Sequence, residues 1–378
     1  MDARSALTTE ARNVLALARK DRRAATEALA SLSLPAQVAV VCEAPVRDRS
    51  LLLELSPNPE SLIPLLPEAE FCFTLKAVGL TDASWMIAYA SSSQIVAGVD
   101  LDAWSGLLPD LDALEPWIAT LAEAGEPALL RGSRSLDAEM LVRYLRERIT
   151  VLLDPRDDDW QAPPGAQTLD GQFYFVATRE NDDIAHIVRL FDVLFREDYW
   201  LYYRLMQGSI WELDTDLDEW ALRWRTGRLQ DMGFPPWDEA MQIFGYLRPD
   251  ARAEIPETHE SLNTDAWSLP VWMPGLPAAH DSRHLVFRAL ADLESSERRG
   301  FFYAFVGVAN AVAVAEKMPL GDSETLPRAL ERVATVTSAA IEFLAEQNGQ
   351  SAVEILRRVD LKRLFRVGIN LSPHPIED

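Results

Sequence analysis

The residue types best suited to molecular recognition lie in one short stretch, where indole and guanidinium side chains alternate. Trp220 and Trp224 are one helical turn apart, and three arginines flank them: Arg223, Arg225 and Arg228. A guanidinium group stacks favourably on an indole ring, and tryptophan and arginine often anchor protein interfaces. The stretch therefore indicates either a core element with cations over its rings or a recognition surface.

Both interpretations of this stretch stay open at the level of sequence. In the first, the indoles belong to the core and the arginines lie over them or pair with Glu212, Asp214 and Asp231. In the second, Trp220 and Trp224 bind a protein partner together with the arginines and Glu212. Full burial of both indoles, with internal pairing of all three arginines, would leave the second interpretation without support.

Two patterns that resemble metal sites are incomplete. His280 and His284 are four residues apart, as in zinc-binding helices, but Asp281 stands where a zinc protease has its glutamate. The acidic run that opens at Asp214 begins like a calcium loop, but Arg225 occupies the position of the bidentate glutamate. We expect no metal and no cofactor, and His280 and His284 are only weak zinc candidates.

Signatures of the common enzyme classes are absent from the sequence. There is no G-x-S-x-G nucleophile elbow, no GxGxxG and no GxxxxGK[ST] phosphate loop. A non-enzymatic role is therefore expected. The alternative is an enzyme with a dispersed site near Arg223, Arg225, Arg228, Glu212 and His186.

Composition and charge exclude further classes of function. The net charge of −23 would repel a nucleic acid, and 48% hydrophobic with 25% charged residues is typical of a globular protein. Cys42 and Cys72 lie in apolar surroundings, which favours small core residues in a reducing cytosol. The apolar run Phe301–Ala315 is too short to span a bilayer and contains Asn310. We expect a soluble cytoplasmic protein without membrane insertion.

The elements that position the aromatic stretch follow from its periodicity. Apolar residues recur at helical spacing from Ile184 to Met206, and Gly208 is predicted to break that helix. A second helix is predicted from Leu217 to Met232, capped by the acids before it. Gly233 should end this helix, and another should begin near Trp237.

The remaining chain is predicted to be mostly helical. Residues 49–150 contain short helical segments that begin at prolines or polar caps. The runs ITVLLD (149–154) and QFYFVAT (172–178) are predicted to pair as two strands. QVAVVC (37–42) fits either a strand or a helical turn, and Pro35 should end the N-terminal helices.

The C-terminal third is predicted to follow an irregular segment, residues 248–282, which contains five prolines and two tryptophans. An ordered loop of that length is usually functional or a linker. Four helices are then predicted: Arg283–Ser295, Glu297–Lys317, Leu326–Gln347 and Gln350–Phe365.

The predicted fold class is mainly α, with an irregular helical-repeat (superhelical) N-terminal half, a small β element and a helical C-terminal half. Five segments are predicted: N-terminal amphipathic helices (1–35), a helical-repeat domain (36–153), a small β element with a Trp-rich helical module (154–248), a Pro-rich ordered loop (249–282) and a C-terminal helical domain (283–378).

Two resemblances accompany this prediction. The run LDEWALRWRTGRLQDMGFPPWDEAMQIFGYL (217–247) resembles a motif of a bacterial domain family of unknown function met in myxobacteria, and the likeness extends from about Leu51 to Leu364. It implies a bacterial cytoplasmic protein, and it carries over no activity and no catalytic residues, because the family has none assigned. The rhythm of short helices resembles the superhelical cytoplasmic domain of MgtE-type magnesium transporters, without a channel portion, so no transport is implied.

The expected function is that of a cytoplasmic protein-binding or scaffold protein with regulatory character. It would hold a protein partner on its helical-repeat surface or its Trp/Arg region. No nucleic acid and no membrane is expected as partner. Homo-oligomer formation through the N-terminal helices is a further possibility, which the mass in solution without residues 1–33 would test.

Overall fold

Short apolar segments, each too small to bury its own leucines, fold here into helices that pack on one another. The computed structural model describes residues 3–157, 159–179, 182–255, 276 and 279–371. Within these residues the chain forms two compact units, the first ending at Gly227 and the second beginning at Arg228. The predicted mainly α fold is confirmed. The five-segment division stays a prediction.

The first unit is built from short helices. They are α1 (Ala3–Ala18), α2 (Arg22–Ala30), α3 (Leu34–Glu43), α4 (Arg49–Leu55), α5 (Pro59–Leu62), α6 (Glu68–Val78), α7 (Ser84–Tyr89), α8 (Ser92–Asp102), α9 (Leu111–Glu123), α10 (Glu126–Ser135), α11 (Ala138–Arg148), α12 (Ala185–Glu197), α13 (Tyr199–Trp211) and α14 (Asp214–Asp231), whose last residues belong to the second unit. Single 3-10 turns at Val46–Asp48, Ile63–Leu65 and Thr81–Ala83 connect some of them.

Buried polar groups fix the short helices of this unit to one another. Ser91 and Gln94 form a capping box at the start of α8. The buried Gln94 side chain also donates to the carbonyl oxygens of Ile63 and Leu66, at 2.7 and 2.9 Å. The Gln94 side chain thus adds hydrogen bonds to carbonyls at the 3-10 turn before α6, so this connection is held without a regular repeat.

Two small antiparallel sheets interrupt the helices of the first unit. β1 (Trp104–Ser105) pairs with β2 (Leu108–Pro109), and β3 (Ile149–Leu153) pairs with β4 (Phe173–Ala177). The second pair confirms the predicted two-stranded element, with Val151 opposite Phe175 at its centre. Alternate residues of both strands are buried, as expected for a sheet with one covered face.

The helix predicted from Ile184 to Met206 is in fact two helices, and the prediction of a break at Gly208 is wrong. The break lies at Asp198, whose extended backbone (φ −154°) ends α12. Its carboxylate then accepts a hydrogen bond from the backbone amide of Leu201 in α13. Gly208 lies inside α13, where an added Cβ would be 2.8 Å from a methyl group of Val142. The glycine therefore permits close packing of α13 on α11 and does not end the helix.

The N-terminal region contains a second difference. Pro35 was predicted to end the preceding helices, but it lies in the first turn of α3, where a missing amide hydrogen costs nothing. The run QVAVVC is helical within α3 and is almost wholly buried. Burial on all sides removes the alternation that distinguishes a strand from a helix, which is why six residues of sequence left both open.

The second unit consists of fewer helices in the residues described, and two of them, α17 and α18, are longer than any helix of the first unit. They are α15 (Trp237–Ala240), α16 (Leu285–Ala291), α17 (Ser295–Ala315), α18 (Thr325–Asn348), α19 (Ala352–Arg358) and α20 (Leu361–Leu371), with 3-10 turns at Met241–Phe244 and Asp250–Ala253. α17, α18 and α20 pack around one apolar core. Buried Asn310 of α17 donates to the carbonyl of Gly233 at 3.0 Å, so the polar residue in the apolar run is satisfied.

Helix ends in the second unit agree with the sequence at most positions. Gly233 stops α14 with positive φ, as predicted, and Gly349 stops α18 in the same way, next to the predicted helix end at Gln347. The prediction of one final helix from Gln350 to Phe365 is wrong, because two helices, α19 and α20, occupy this segment. Val359 between them is extended (φ −113°), and the Asp360 carboxylate caps α20 by accepting a hydrogen bond from the amide of Arg363. Most of the predicted irregular segment, 248–282, lies outside the described residues.

The sequence also predicts two buried cysteines and no helix that spans a membrane. Cys42 and Cys72 are both free thiols in the core. Burial raises the pKa of Cys42 to about 12 and that of Cys72 further, so both remain neutral small core residues. Among the residues described, no helix is both long and apolar enough to cross a bilayer.

Candidate functional site: an exposed tryptophan ridge

The helix α14 presents its two tryptophans to solvent. Its buried face is formed by Leu217, Ala221 and Arg225, which recur every fourth residue. Trp220 and Trp224 lie beside that face with 45% and 47% of their surface exposed. Their rings stack on each other with centroids 6.0 Å apart and an interplanar angle of 28°. The interpretation that both indoles belong to the core is therefore wrong.

A cation lies over the stacked indoles. The guanidinium carbon of Arg223 is 5.1 Å from the ring centroid of Trp220, which is within the range of a cation–π contact. Arg223 itself is exposed. Arg223, Trp220 and Trp224 form a continuous row along one edge of α14, and this row is called the tryptophan ridge below.

Arg225 fixes the ridge from the opposite face of the helix. Its guanidinium carbon is 4.7 Å from the ring of Trp104, and its Nε and Nη1 donate to the carbonyls of Asp100 (2.8 Å) and Gly106 (3.3 Å). A buried guanidinium must have its hydrogens bonded, so these contacts set the rotation of α14 about its axis. Arg225 thus positions the indoles from beneath and does not itself belong to the exposed surface.

Two ion pairs from α11 hold the start of α14, and one pair lies at the end of α13. Arg146 binds Asp214 at 2.7 Å, and Arg143 binds Asp218 at 3.3 Å. A third pair, between Arg204 and Glu212, spans 2.6 Å. The three pairs are partly exposed, so each adds little to stability, but together they determine where the ridge lies. Burial raises the pKa of Asp218 against the opposing effect of Arg143.

The preceding helix, α13, adds further exposed aromatic surface. Trp200 is 78% exposed and Trp211 is 56% exposed, and their spacing of three turns places them on the same face of the helix. From Trp200 a chain of ring contacts leads through Tyr199 and Tyr202 to the buried ring of Phe191; the first and last contacts are edge-to-face and the middle one is tilted by 37°. The ring of Trp200 is therefore held on a packed aromatic base, which reduces the rotamer freedom that this side chain would lose on binding.

The predicted binding residues have four different places in the fold. Trp220, Trp224 and Arg223 form the ridge, and Arg225 supports it from the core. Glu212 pairs with Arg204 of α13. The first interpretation, which paired Glu212 with an arginine of α14, is wrong on this point. Arg228 belongs to the second unit. Sequence reasoning had no signal for Trp104, whose ring becomes a partner of Arg225 only through the fold.

The two weak zinc candidates bind different carboxylates. His280 Nδ1 is 3.7 Å from Asp292, and His284 Nε2 is 3.1 Å from Glu331, which also binds Arg283 at 2.6 Å. Within the described ranges no three potential ligands converge as a metal site requires. The HDSRH spacing here accompanies a surface ion-pair cluster.

His186, the histidine of the alternative enzyme site, forms a hydrogen bond with Tyr144. The Tyr144 hydroxyl and His186 Nε2 are 2.7 Å apart. Burial raises the pKa of Tyr144 above its usual range, so the phenol keeps its hydrogen and can donate it to Nε2 of the tautomer that is protonated on Nδ1. Burial also lowers the pKa of His186, which favours the neutral ring that this hydrogen bond requires as acceptor. Around the pair, Arg148 binds Asp112 and Glu115 at 2.7 and 2.6 Å.

The pH dependence of stability tests this Tyr144–His186 bond. Because folding lowers the pKa of His186, the stability contributed by its neutral form is present above the unfolded pKa of about 6.5 and is lost as the pH falls through the folded pKa. We expect His186→Gln to flatten the decline of the free energy of unfolding between about pH 7 and pH 5, measured by urea denaturation. The control His280→Gln, at an exposed site, should retain the decline. An unchanged slope in His186→Gln would contradict the assignment.

The fold and the site together define a mainly α protein that displays a supported aromatic ridge. The model of the family described as "Family of unknown function (DUF6178)" matches residues 26–372, and the chain belongs to this family. Comparison with curated proteins and with solved structures finds no match.

Proposed function

We propose that this chain is a non-enzymatic protein-binding or scaffold protein and that the tryptophan ridge is its docking site. The observation that carries the proposal is the exposure of two stacked indoles on a helix whose opposite face is fixed by buried Arg225. Concentrated exposed aromatic surface on a folded protein is typical of an interaction site. A rigid aromatic platform also loses little conformational freedom on binding.

The test of this proposal is a comparison of two variants with a partner identified by co-purification, then purified and titrated in a calorimeter. We expect Trp220→Ser/Trp224→Ser to weaken binding at least about 30-fold, because truncation of a central aromatic anchor typically costs 2 kcal/mol or more. Both side chains are half exposed, so the variant should remain folded.

Tyr89→Ser provides the matched control for this experiment, since Tyr89 is a similarly exposed aromatic residue of the first unit outside the ridge. It should bind the partner as the wild type does. Equal affinity of the ridge variant and the wild type would remove the ridge from the interaction. Equal losses in both variants would point to a general effect of lost aromatic surface.

A second candidate function, an enzyme with a site around His186, is supported by the Tyr144–His186 bond and the shifted pKa values of both groups. Perturbed titrating groups cluster at catalytic sites, but structural hydrogen bonds perturb them as well. Binding is the better supported role, because the bond to Tyr144 occupies the Nε2 through which His186 would accept a proton.

The setting of the protein is part of the same proposal. Two free, buried cysteines fit a reducing bacterial cytoplasm. The short helices of the first unit fit the likeness to superhelical domains such as that of MgtE-type transporters. Self-association through the N-terminal helices also remains a proposal; in the chain, Ala11, Val14 and Leu15 of α1 are buried.

A further inference from the structure

We infer that the partner of the tryptophan ridge presents a basic segment, whose lysine or arginine side chains stack on the indoles and pair with carboxylates beside them. The inference rests on the proposed binding role and adds the chemistry of the partner. The first two turns of α14 and the chain as a whole are both acidic.

Acidic residues along the start of α14 differ in how they are paired. Asp214 and Asp218 bind Arg146 and Arg143 of α11. Asp216 and Glu219 are exposed, and neither forms an ion pair with any residue that the structure describes. Both lie within about one helical turn of Trp220. The ridge is therefore bordered by two carboxylates whose charge is open to a partner.

The ridge already carries one contact of the inferred kind. Arg223 places its guanidinium over Trp220, which shows that the geometry of this edge accepts a cation on an indole face. No cation of the described chain lies over Trp224. A guanidinium or ammonium group from a partner could lie over Trp224 as Arg223 lies over Trp220. From there it would be about one helical turn from a carboxylate.

The net charge of the whole chain also favours a basic partner. At −23, the protein attracts a basic segment over long distances and speeds its encounter. The same field opposes a second copy of this chain, an anionic lipid surface and a nucleic acid. An uncharged apolar segment would gain nothing from Asp216 and Glu219. A basic segment alone uses both the indoles and the acids.

The test uses the full chain and three fluorescein-labelled 12-residue peptides, in which glycine alternates with arginine, glutamine or glutamate. Fluorescence anisotropy measures their affinities. We expect the arginine peptide to bind at least about tenfold more tightly than the glutamine peptide, and the glutamate peptide to show no binding. The affinity of the arginine peptide should fall as salt rises from about 50 to 300 mM, because exposed charges are screened over about 10 Å or less.

Two double variants that change the net charge by the same amount distinguish an effect of the ridge from an effect of the charge of the whole protein. Asp216→Lys/Glu219→Lys should weaken the arginine peptide at least about tenfold. Glu60→Lys/Asp82→Lys is the control, because these exposed acids of the first unit also lack an ion pair among the described residues. It should weaken binding less than about threefold. If the Asp216→Lys/Glu219→Lys variant loses the circular dichroism signal of its helices, Asp216→Asn/Glu219→Gln is used in its place.

Each other outcome overturns the inference. Equal losses in both charge variants would mean that the whole field, and not the ridge, binds the peptide. Tighter binding of the glutamine peptide, abolished by Trp220→Ser/Trp224→Ser, would leave the proposed function intact and remove the basic partner. A dimeric mass in solution that the same tryptophan variant converts to a monomer would make a second copy the occupant. No binding of any peptide would also reject it.

Discussion

Replacing Glu70 by alanine is expected to lower the free energy of unfolding by about 3–5 kcal/mol, because the change leaves the Arg49 guanidinium charged and buried without its counter-ion. The two side chains form a buried ion pair at 2.5 Å. Arg49 also donates to the carbonyls of Cys42 at 2.8 Å and Ala44 at 3.1 Å. One guanidinium thus joins the end of α3 and the start of α4 to α6. Urea denaturation followed by circular dichroism measures the loss.

The matched control is an exposed pair of the same residue types in the same unit. Arg22 and Glu54 are 2.8 Å apart, with both side chains largely in solvent. Glu54→Ala should cost less than about 1 kcal/mol. Arg49→Met/Glu70→Leu should recover only part of the loss, because two carbonyls lose their donor while the buried charge is removed. Similar losses for Glu70→Ala and Glu54→Ala would show that burial does not decide the strength of these pairs.

Local signals in the sequence predicted those parts of the fold that local chemistry decides. Gly233 and Gly349 end helices because a left-handed residue is needed there, and alternation of apolar residues identified the strands Ile149–Leu153 and Phe173–Ala177. The break at Asp198 was missed because the apolar periodicity continues across it. Nothing local distinguishes a glycine that stops a helix from Gly208, which stays helical because Val142 packs on it.

The candidate site was predicted in its residue types but not in its exposure. Trp220 and Trp224 lie four residues apart, so their stacking follows from helix geometry alone. Whether the stacked pair is covered depends on the rotation of α14. That rotation is set by Arg225, whose acceptor at Asp100 lies 125 residues earlier in the chain. A contact of that separation has no signal in a single sequence.

Replacing Gly368 by alanine is expected to destabilise the second unit by about 3 kcal/mol, because α20 lies directly against the backbone of α18 at this glycine. An added Cβ would lie 2.7 Å from Cγ1 and 2.9 Å from the carbonyl carbon of Val336, and closer still to its carbonyl oxygen. A side chain can rotate away from a new methyl group, but a carbonyl inside a helix cannot. The two helices must therefore separate, and apolar contacts between them in the core of this unit are lost.

Gly300→Ala is the control that distinguishes this packing effect from a general response to alanine. Gly300 also lies within a helix of the second unit, α17, but a Cβ there would meet no atom within 4 Å. Alanine at an exposed helical position is favoured over glycine by about 1 kcal/mol, so this variant should become slightly more stable. The same substitution is thus expected to have opposite signs at two helical glycines of one unit, and only contact with the Val336 backbone accounts for the difference. A stabilised Gly368→Ala would mean that α18 and α20 do not pack at this distance.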